Sequence, residues 1–453
     1  VKQLLAVLIA AGGCLFARAQ PPAMPATRNA VIRNVNVIPM DRETILRGQD
    51  VFIRNGRVES VRPTRRKSGK DYELVIDGTD KYLLPGLAEM HAHVPPVDDL
   101  APMKDVLMLF AVNGVTTIRG MLGHPRHLEL RAKLQSGEID GPRFITSGPS
   151  LNGNSVKTAA DGISMVEAQK KAGYDFLKLH PGLTPETFGA IAKKAKELRI
   201  PFAGHVSYMV GVQRAIDAGY ATIDHMDGFV EYLVPGIEQV TEQQAGLFGL
   251  FVGHRADFSW MPALVKSLKD KNVWVVPTQC LAEKWFAPGE PKAYDDKPEM
   301  IYIDRKTRDA WINSKANLQK NPLYDPVQVR KYIDLRRRML KALQDGGVGI
   351  LLGSDAPQVF DVPGFSVHDE LSYYVVAGLT PYEALRTGTV QAGVFLKDDN
   401  IGVIREKAYA DFLLLSANPL ESIANTRRIE GVMLRGKWLD KAYIESCLKA
   451  LEK

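Results

Sequence analysis

Between residues 84 and 355 short apolar runs recur, each ending on a polar residue or a glycine. They occupy residues 87–90, 115–118, 143–146, 175–178, 201–204, 221–224, 273–276 and 349–352, and stretches of helical period lie between several of them. Apolar runs of this length bounded by turn signals fit the buried strands of a parallel sheet, with the intervening stretches as crossover helices. Residues 185–198 show the pattern well. Thr184 offers an N-cap oxygen, and Pro185 takes the first helical position, where its missing N–H costs nothing. Eight βα units over about 300 residues predict an α/β fold of the (β/α)8 TIM-barrel type, although the alternation alone also permits a doubly wound sheet. Two connections are long. Residues 230–260 and 281–340 are expected as helical insertions above the barrel, where long loops serve as lids or substrate walls.

Outside this region the period shortens to two. Val31, Val35 and Val37 mark one apolar stretch, and Asn55-Gly56 sits between alternating apolar positions, a strong hairpin signal. After about Phe395 strand patterns return at 410–415 and 431–438. These segments predict a small β-sandwich domain made from residues 28–84 and 396–453, flanking the barrel over 85–395. Residues 1–19 read as a signal peptide: Lys2, an apolar stretch from Leu4 to Phe16, then Ala17-Arg18-Ala19 as a small-x-small cleavage site. Export to a periplasm or beyond the cell follows as the expectation, with cleavage near Ala19. The apolar stretch is too short to predict a stable membrane span.

Composition narrows the partners. The chain has 453 residues and a net charge of +6, and its basic residues are spread out. The densest clusters, Arg65-Arg66-Lys67 and Arg336-Arg337-Arg338, carry no interleaved aromatics, so they read as solvated faces and no nucleic-acid partner is expected. Of three cysteines Cys14 falls in the leader, and Cys280 with Cys447 makes neither a disulfide framework nor a cysteine metal pair. Any metal must be held by histidine, carboxylate or a less usual group.

Such groups stand where a TIM barrel gathers its chemistry, at the C-terminal ends of the strands. His91 and His93 follow the first run, Lys178 closes the fourth, His205 follows the fifth, His225 the sixth and Asp355 the eighth. Alternate residues of a strand share a face, so His91 and His93 can address one point in the barrel mouth. An isolated His-x-His is a weak sign; its coincidence with four further groups at matching positions is a strong one. Lys178 needs its own explanation, because an ammonium would be repelled by metal cations. It either snorkels out of the barrel or reacts with carbon dioxide to give an anionic carbamate, able to bridge two metals about 3.5–4 Å apart.

His91-Ala-His93, Lys178 at a strand end, His205, His225 and Gly353-Ser-Asp355-Ala resemble the amidohydrolase superfamily, in particular its binuclear members with a carboxylated lysine. The segment from Leu84 to His93 (LPGLAEMHAH) is similar to that superfamily's lead-in to the first barrel strand, and Ala408 to Leu420 (AYADFLLLSANPL) to its return to the β domain. The nearest branch is the prolidase-like and imidazolonepropionase-like group. The resemblance implies that His91, His93 and Asp355 hold the more buried of two divalent metal ions, that His205 and His225 hold the more exposed one, and that N6-carboxylated Lys178 bridges them. Zinc is the default for such ligands, with manganese, cobalt and iron as alternatives. The implied activity is hydrolysis of an amide C–N bond in a small-molecule substrate, such as a dipeptide or N-acyl amino acid, by a metal-bridging hydroxide, with Asp355 as the catalytic proton carrier. The same centre could attack a cyclic amide, a lactone or a phosphotriester. A catalytically silent exported binding protein is the competing reading outside the enzymes, but it has no use for Asp355. Homo-oligomerisation stays open.

Two segments depart from the branch. Its members carry Gly-Gly-His after the third strand, where residues 147–157 read SGPSLNGNSVK, and Arg-Asp after the second, where this chain has Arg119-Gly120. Substrate contacts are expected instead from His180, on the projected face of Lys178, from Tyr208 as a donor to the oxyanion, and from Arg119 for a substrate carboxylate. Asn152 and Asn154 read as turn residues. His124, His127, His254 and His368 are expected at the surface or at helix ends.

Overall fold

The computed structural model describes residues 21–26, 29–65 and 71–453. The signal peptide expected over residues 1–19, with Cys14, and the basic pair Arg66-Lys67 lie outside the described residues. Strands β1 (Ala30–Val37), β2 (Leu46–Arg54), β3 (Arg57–Pro63), β4 (Leu74–Asp77) and β5 (Tyr82–Pro85) come first. Asn55 and Gly56 close the β2–β3 hairpin with φ of 52° and 70°, and Arg54 faces Arg57 across it. Positive φ at both central residues is what matches a two-residue turn to the twist of its strands.

The barrel follows as β6 (Leu87–Ala92), β7 (Val115–Gly120), β8 (Arg143–Thr146), β9 (Leu177–Leu179), β10 (Phe202–Gly204), β11 (Thr222–Asp224) and β12 (Trp274–Val276), and the eighth run spans residues 349–352. Pairing is parallel within β6–β7–β8 and within β9–β10–β11–β12. A parallel bridge between Ser147 and Phe176 joins the two groups, and another between Val275 and Ile350 adds the eighth run. Met90 N then donates to Leu352 O at 2.8 Å and Asp355 N to His91 O at 2.9 Å, which closes the ring onto β6. The structure is therefore a (β/α)8 barrel. The helix Pro185–Glu197 opens as its sequence predicts, with the Thr184 side chain accepting from Thr187 N.

After the barrel, β13 (Phe412–Leu415), β14 (Ile429–Leu434) and β15 (Lys437–Asp440) join the N-terminal strands in one sheet, in the order β15-β14-β13-β5-β1-β2-β3, with β4 beside β1. The seam is β5, which pairs parallel with β1 and antiparallel with β13. The far edge curls back, so that Val58 N donates to Ala408 O and Ala410 N to Gly56 O. The sandwich is thus a continuous sheet folded over Ile32, Val51, Ile53, Phe412, Leu414 and Met433.

Three differences from the sequence reading have clear causes. The chain does not end in strand: Lys441–Leu451 is a helix, capped by the Asp440 carboxylate accepting from Tyr443 N, and it buries Ile444, Cys447 and Leu451. Arg336 is not solvated but 1% exposed. It sits on the inner face of the helix Pro326–Gly346, and its guanidinium donates to His225 O, Pro277 O and Gln279 Oε1. His127 and His368 are buried rather than superficial. Backbone carbonyls hold them there, Pro95 O for His127 and Asn113 O for His368, each at 3.1 Å. Among the described residues no helix is long and apolar enough to cross a membrane.

Candidate metal centre

The barrel brings the six metal-competent side chains to one end. His93 Nε2 lies 2.6 Å and His91 Nε2 3.2 Å from Asp355 Oδ1. On the other side of that carboxylate, His225 Nδ1 is 3.8 Å from Asp355 Oδ2. The imidazoles form a chain of rings with centroids 5.4 Å apart for His91–His93, 4.5 Å for His91–His225 and 4.4 Å for His205–His225. Lys178 is fully buried, its Nζ makes no hydrogen bond among the described residues, and Asp224 Oδ2 is 3.9 Å away. Sequence order places Lys178 at the end of its strand; in the fold it is the middle residue of β9, and Leu179 follows it.

Three oxygens decide which ring nitrogens face the centre. Asp224 Oδ2 lies 3.0 Å from His91 Nδ1, Asp227 Oδ2 is 3.1 Å from His205 Nδ1, and Thr278 Oγ1 is 2.8 Å from His225 Nδ1. A carboxylate that accepts from Nδ1, as Asp227 does for His205, fixes the tautomer of a ligand imidazole and leaves Nε2 with a free lone pair, while the Thr278 hydroxyl holds the rotation of the His225 ring. Among the described residues His225 Nε2, His91 Nδ1 and Lys178 Nζ are buried without a hydrogen-bond partner. Orphaned nitrogens of this sort normally signal a missing ligand, and His91, His225 and Asp355 offer ligand atoms within 4.8 Å of one another. The donor set of imidazole and carboxylate fits a divalent cation.

Electrostatics agree with the geometry. Burial holds His93, His205 and His225 below the usual histidine range, so they are neutral, as coordination requires. Burial opposes the charge on Asp355, yet His91 and His93 keep it well below the usual carboxylate range. Burial draws Lys178 down to about 8 against the pull of Asp224 and Asp355. His225, Thr278 and Asp355 have φ of 64°, 45° and 70°. Such left-handed non-glycine backbone costs on the order of 1–3 kcal/mol per residue and clusters at functional sites.

Four contributors escape a reading of the sequence: Asp224, Asp227, Thr278 and Glu89. Glu89 is fully buried on β6, and its carboxylate accepts from His91 N at 3.1 Å, Ser354 N at 2.8 Å and Ser354 Oγ at 2.7 Å. It thereby ties the His-x-His strand to the turn that carries Asp355, and burial pushes its pKa up to about 8. Asp224 and Asp227 bracket His225 in sequence, which is the one local signal available.

The residues expected to meet substrate have different fates. His180 stacks on His205 at 4.9 Å, with Nδ1 buried and unpartnered. The Tyr208 hydroxyl donates to Val240 O at 2.7 Å and reaches Ile237 O at 3.3 Å, so it is committed to the insertion after β11 rather than to an oxyanion. Arg119 is buried inside the barrel. Its guanidinium donates to Met90 O at 2.7 Å and Thr222 Oγ1 at 3.0 Å, meets Asp224 Oδ1 at 3.4 Å, and lies against Phe176 and Phe395. These contacts make it an internal ion-pair partner with no open face for a substrate carboxylate. Asn152 does turn the loop after β8, its Oδ1 accepting from Asn154 N and Ser155 N.

Known proteins give a consistent background. Residues 82–439 match the model of the Amidohydrolase family. Ochratoxinase of Aspergillus niger is 23% identical over 330 residues, an alignment that takes in 69% of this chain and 62% of that protein. The chain thus spans 62% of the length of the curated relatives it matches. Among solved structures, bottromycin amidohydrolase superimposes with a TM-score of 0.71 at 22% identity, covering 93% of this chain and 90% of that one. A Xaa-Pro dipeptidase with methionine bound in its active site gives 0.65 at 18% identity, covering 91% and 100%.

Proposed function

The chain belongs to the amidohydrolase family, and we propose that it hydrolyses the amide bond of a small substrate, a dipeptide or an N-acyl amino acid, at a pair of divalent metal ions. The observation that carries this reading is the cluster of buried imidazoles around Asp355, with His205 Nδ1 and His225 Nδ1 hydrogen-bonded to Asp227 and Thr278 and with His225 Nε2 and the Lys178 amine left without a hydrogen bond among the described residues. His91, His93 and Asp355 would hold one ion and His205 and His225 the other, and Lys178 would contribute as a carbamate, its neutral amine adding to carbon dioxide with loss of one proton to solvent. Zinc is the first choice. When bound, the pair would bring the pKa of a water towards neutrality and polarise the scissile carbonyl.

The chain's own residues do the rest. His93 Nε2 and His91 Nε2 converge on Asp355 Oδ1, which leaves Oδ2 turned towards His225. Oδ2 can then take a proton from the attacking water and return it to the leaving nitrogen, which needs it because an amide anion leaves poorly. His180, stacked on His205, is the residue best placed to contact substrate. Similarity to a protein named Xaa-Pro dipeptidase supports the dipeptide option, and similarity to bottromycin amidohydrolase supports amide cleavage.

The test is metal analysis of the purified protein beside hydrolysis of a mixed library of dipeptides and N-acyl amino acids, before and after chelation. Two metal equivalents and turnover that chelation removes and zinc restores are expected. Two equivalents without turnover of any amide would overturn the reading, and cleavage of only a lactone or phosphotriester would redirect it.

A further inference from the structure

Phe248 belongs to the insertion after β11, and its ring lies flat over the exposed half of the metal centre. It stacks on His225 at 5.1 Å with 19° between the planes and on His205 at 5.8 Å with 14°. The residue is 4% exposed, and its backbone is left-handed, with φ 56° and ψ 30°. A phenylalanine holds that conformation only where its surroundings over-determine it. Here one helix does so. On Pro326–Gly346, Tyr332 and Arg336 are one turn apart and both buried. The Tyr332 hydroxyl donates to Phe248 O at 3.0 Å, and the Arg336 guanidinium donates to His225 O at 2.8 Å. The same rigid element therefore fixes the backbone of a ligand and the backbone of the ring that covers it. Phe286, from the second insertion, packs on both Phe248 and Tyr332.

We infer that Phe248 is a positioning residue for the His205–His225 half of the metal centre, and that the two insertions serve to hold it there through Tyr332 and Arg336. The inference rests on the metal-centre reading above. An aromatic face carries negative quadrupole charge. An imidazole that gives its Nε2 pair to a divalent cation becomes electron-poor and is drawn to such a face, as a cation is. Phe248 thus favours the loaded rings over the empty ones, and its bulk keeps water off the side of the imidazoles away from the ion. Phe248→Leu would preserve apolar bulk and lose the π face; Tyr332→Phe would remove a single hydroxyl.

The experiment is a zinc titration of metal-free wild type, Phe248→Leu and Tyr332→Phe, with a competing chelator, followed by visible absorption of the cobalt-loaded proteins. Thermal unfolding of the metal-free forms serves as the folding control, and Tyr332→Phe stands in if Phe248→Leu does not fold. Wild type should take two equivalents. Phe248→Leu should keep one at unchanged affinity and bind the other roughly ten- to a hundredfold more weakly, the usual loss when support behind a ligand is removed, with an altered cobalt band. Tyr332→Phe should move in the same direction by less. Two equivalents at wild-type affinity in both variants, or equal weakening of both ions, would overturn the inference. So would unchanged affinity with a raised KM for bulky substrates, which makes Phe248 a substrate wall. A wild-type protein that takes up no metal sinks the metal-centre reading together with this inference, whereas two equivalents in wild type and variants alike sink the inference alone.

Discussion

Lys178 and Asp355 occupy one buried space with opposite electrostatic problems. A buried ammonium without hydrogen bonds is held at a cost of several kcal/mol, and the nearest carboxylate oxygen to Lys178 Nζ is 3.9 Å away. With burial drawing its pKa down to about 8, the amine is accessible in neutral form, the form that reacts with carbon dioxide. Lys178→Ala should therefore strip the protein of its tightly bound metal pair, and short carboxylic acids such as acetate should restore part of it. Elemental analysis after gel filtration reads this directly, and an unchanged metal content removes the bridging role. Asp355 is tested differently. Asp355→Asn keeps the side chain's shape and its oxygen towards the histidines but no longer accepts a proton. Turnover should fall by about 10²–10⁴, the usual worth of a positioned acid–base group, and a rate near wild type would mean that another group moves the proton.

At the scale of elements, the centre depends on how closely the eighth run presses on its neighbours. Gly353 immediately precedes the turn to Asp355, and a Cβ there would stand 2.4 Å from Val276 Cγ1 and 2.9 Å from both His91 Cβ and His91 N. Gly353→Ala should cost roughly 1–3 kcal/mol through overpacking and weaken metal binding, because relief must displace Val276 and His91, and His91 Nε2 stands 3.2 Å from Asp355 Oδ1. Denaturant melts with and without metal check both effects; a stable variant with normal metal affinity would show that the backbone relaxes elsewhere. Part of this was legible in the sequence from local signals. Residues 143–146 match β8 to the residue, although RFIT carries polar Arg143 and Thr146 and its burial alternates, because Gly141-Pro142 before it and Ser147-Gly148 after it mark its ends. The histidines stand out because they fall at the matching ends of several such runs. The supporting oxygens are illegible because each meets its partner only when the ring closes: Thr278 is 53 residues from His225, and Ser354 is 265 from Glu89. Arg336 was hidden differently, since a charged triplet conceals which member points inward. The final helix was hidden by its brevity, with only Ile444, Cys447 and Leu451 to mark the period.

Across the whole molecule, acid should act first at joints where a neutral histidine is sealed inside. His368 links the helix Phe365–Val376 to Asn113 O, just past the helix Leu100–Val112, and through Nδ1 to Thr426 Oγ1 at 2.9 Å, in the C-terminal segment between β13 and β14. His127 ties the helix Pro125–Ser136 to the loop after β6 through Pro95 O. Burial lowers His368 to about 3 and His127 to about 4 from an ordinary 6.5. Below pH 6.5 the unfolded chain therefore gains protons that the folded chain refuses, and stability must fall as pH falls through that window, by up to about 1.4 kcal/mol per unit for each histidine. The buried histidines of the metal-free centre add to the slope, so a single variant is needed to isolate one joint. His368→Gln keeps a donor and an acceptor near Asn113 and Thr426 but cannot take up a proton. Urea unfolding of metal-free protein at pH 6 and pH 5 should show wild type losing about 1.2 kcal/mol more than the variant over that unit. Equal losses would mean that His368 titrates alike in both states, and that the joint between barrel and C-terminal segment opens before the protein unfolds.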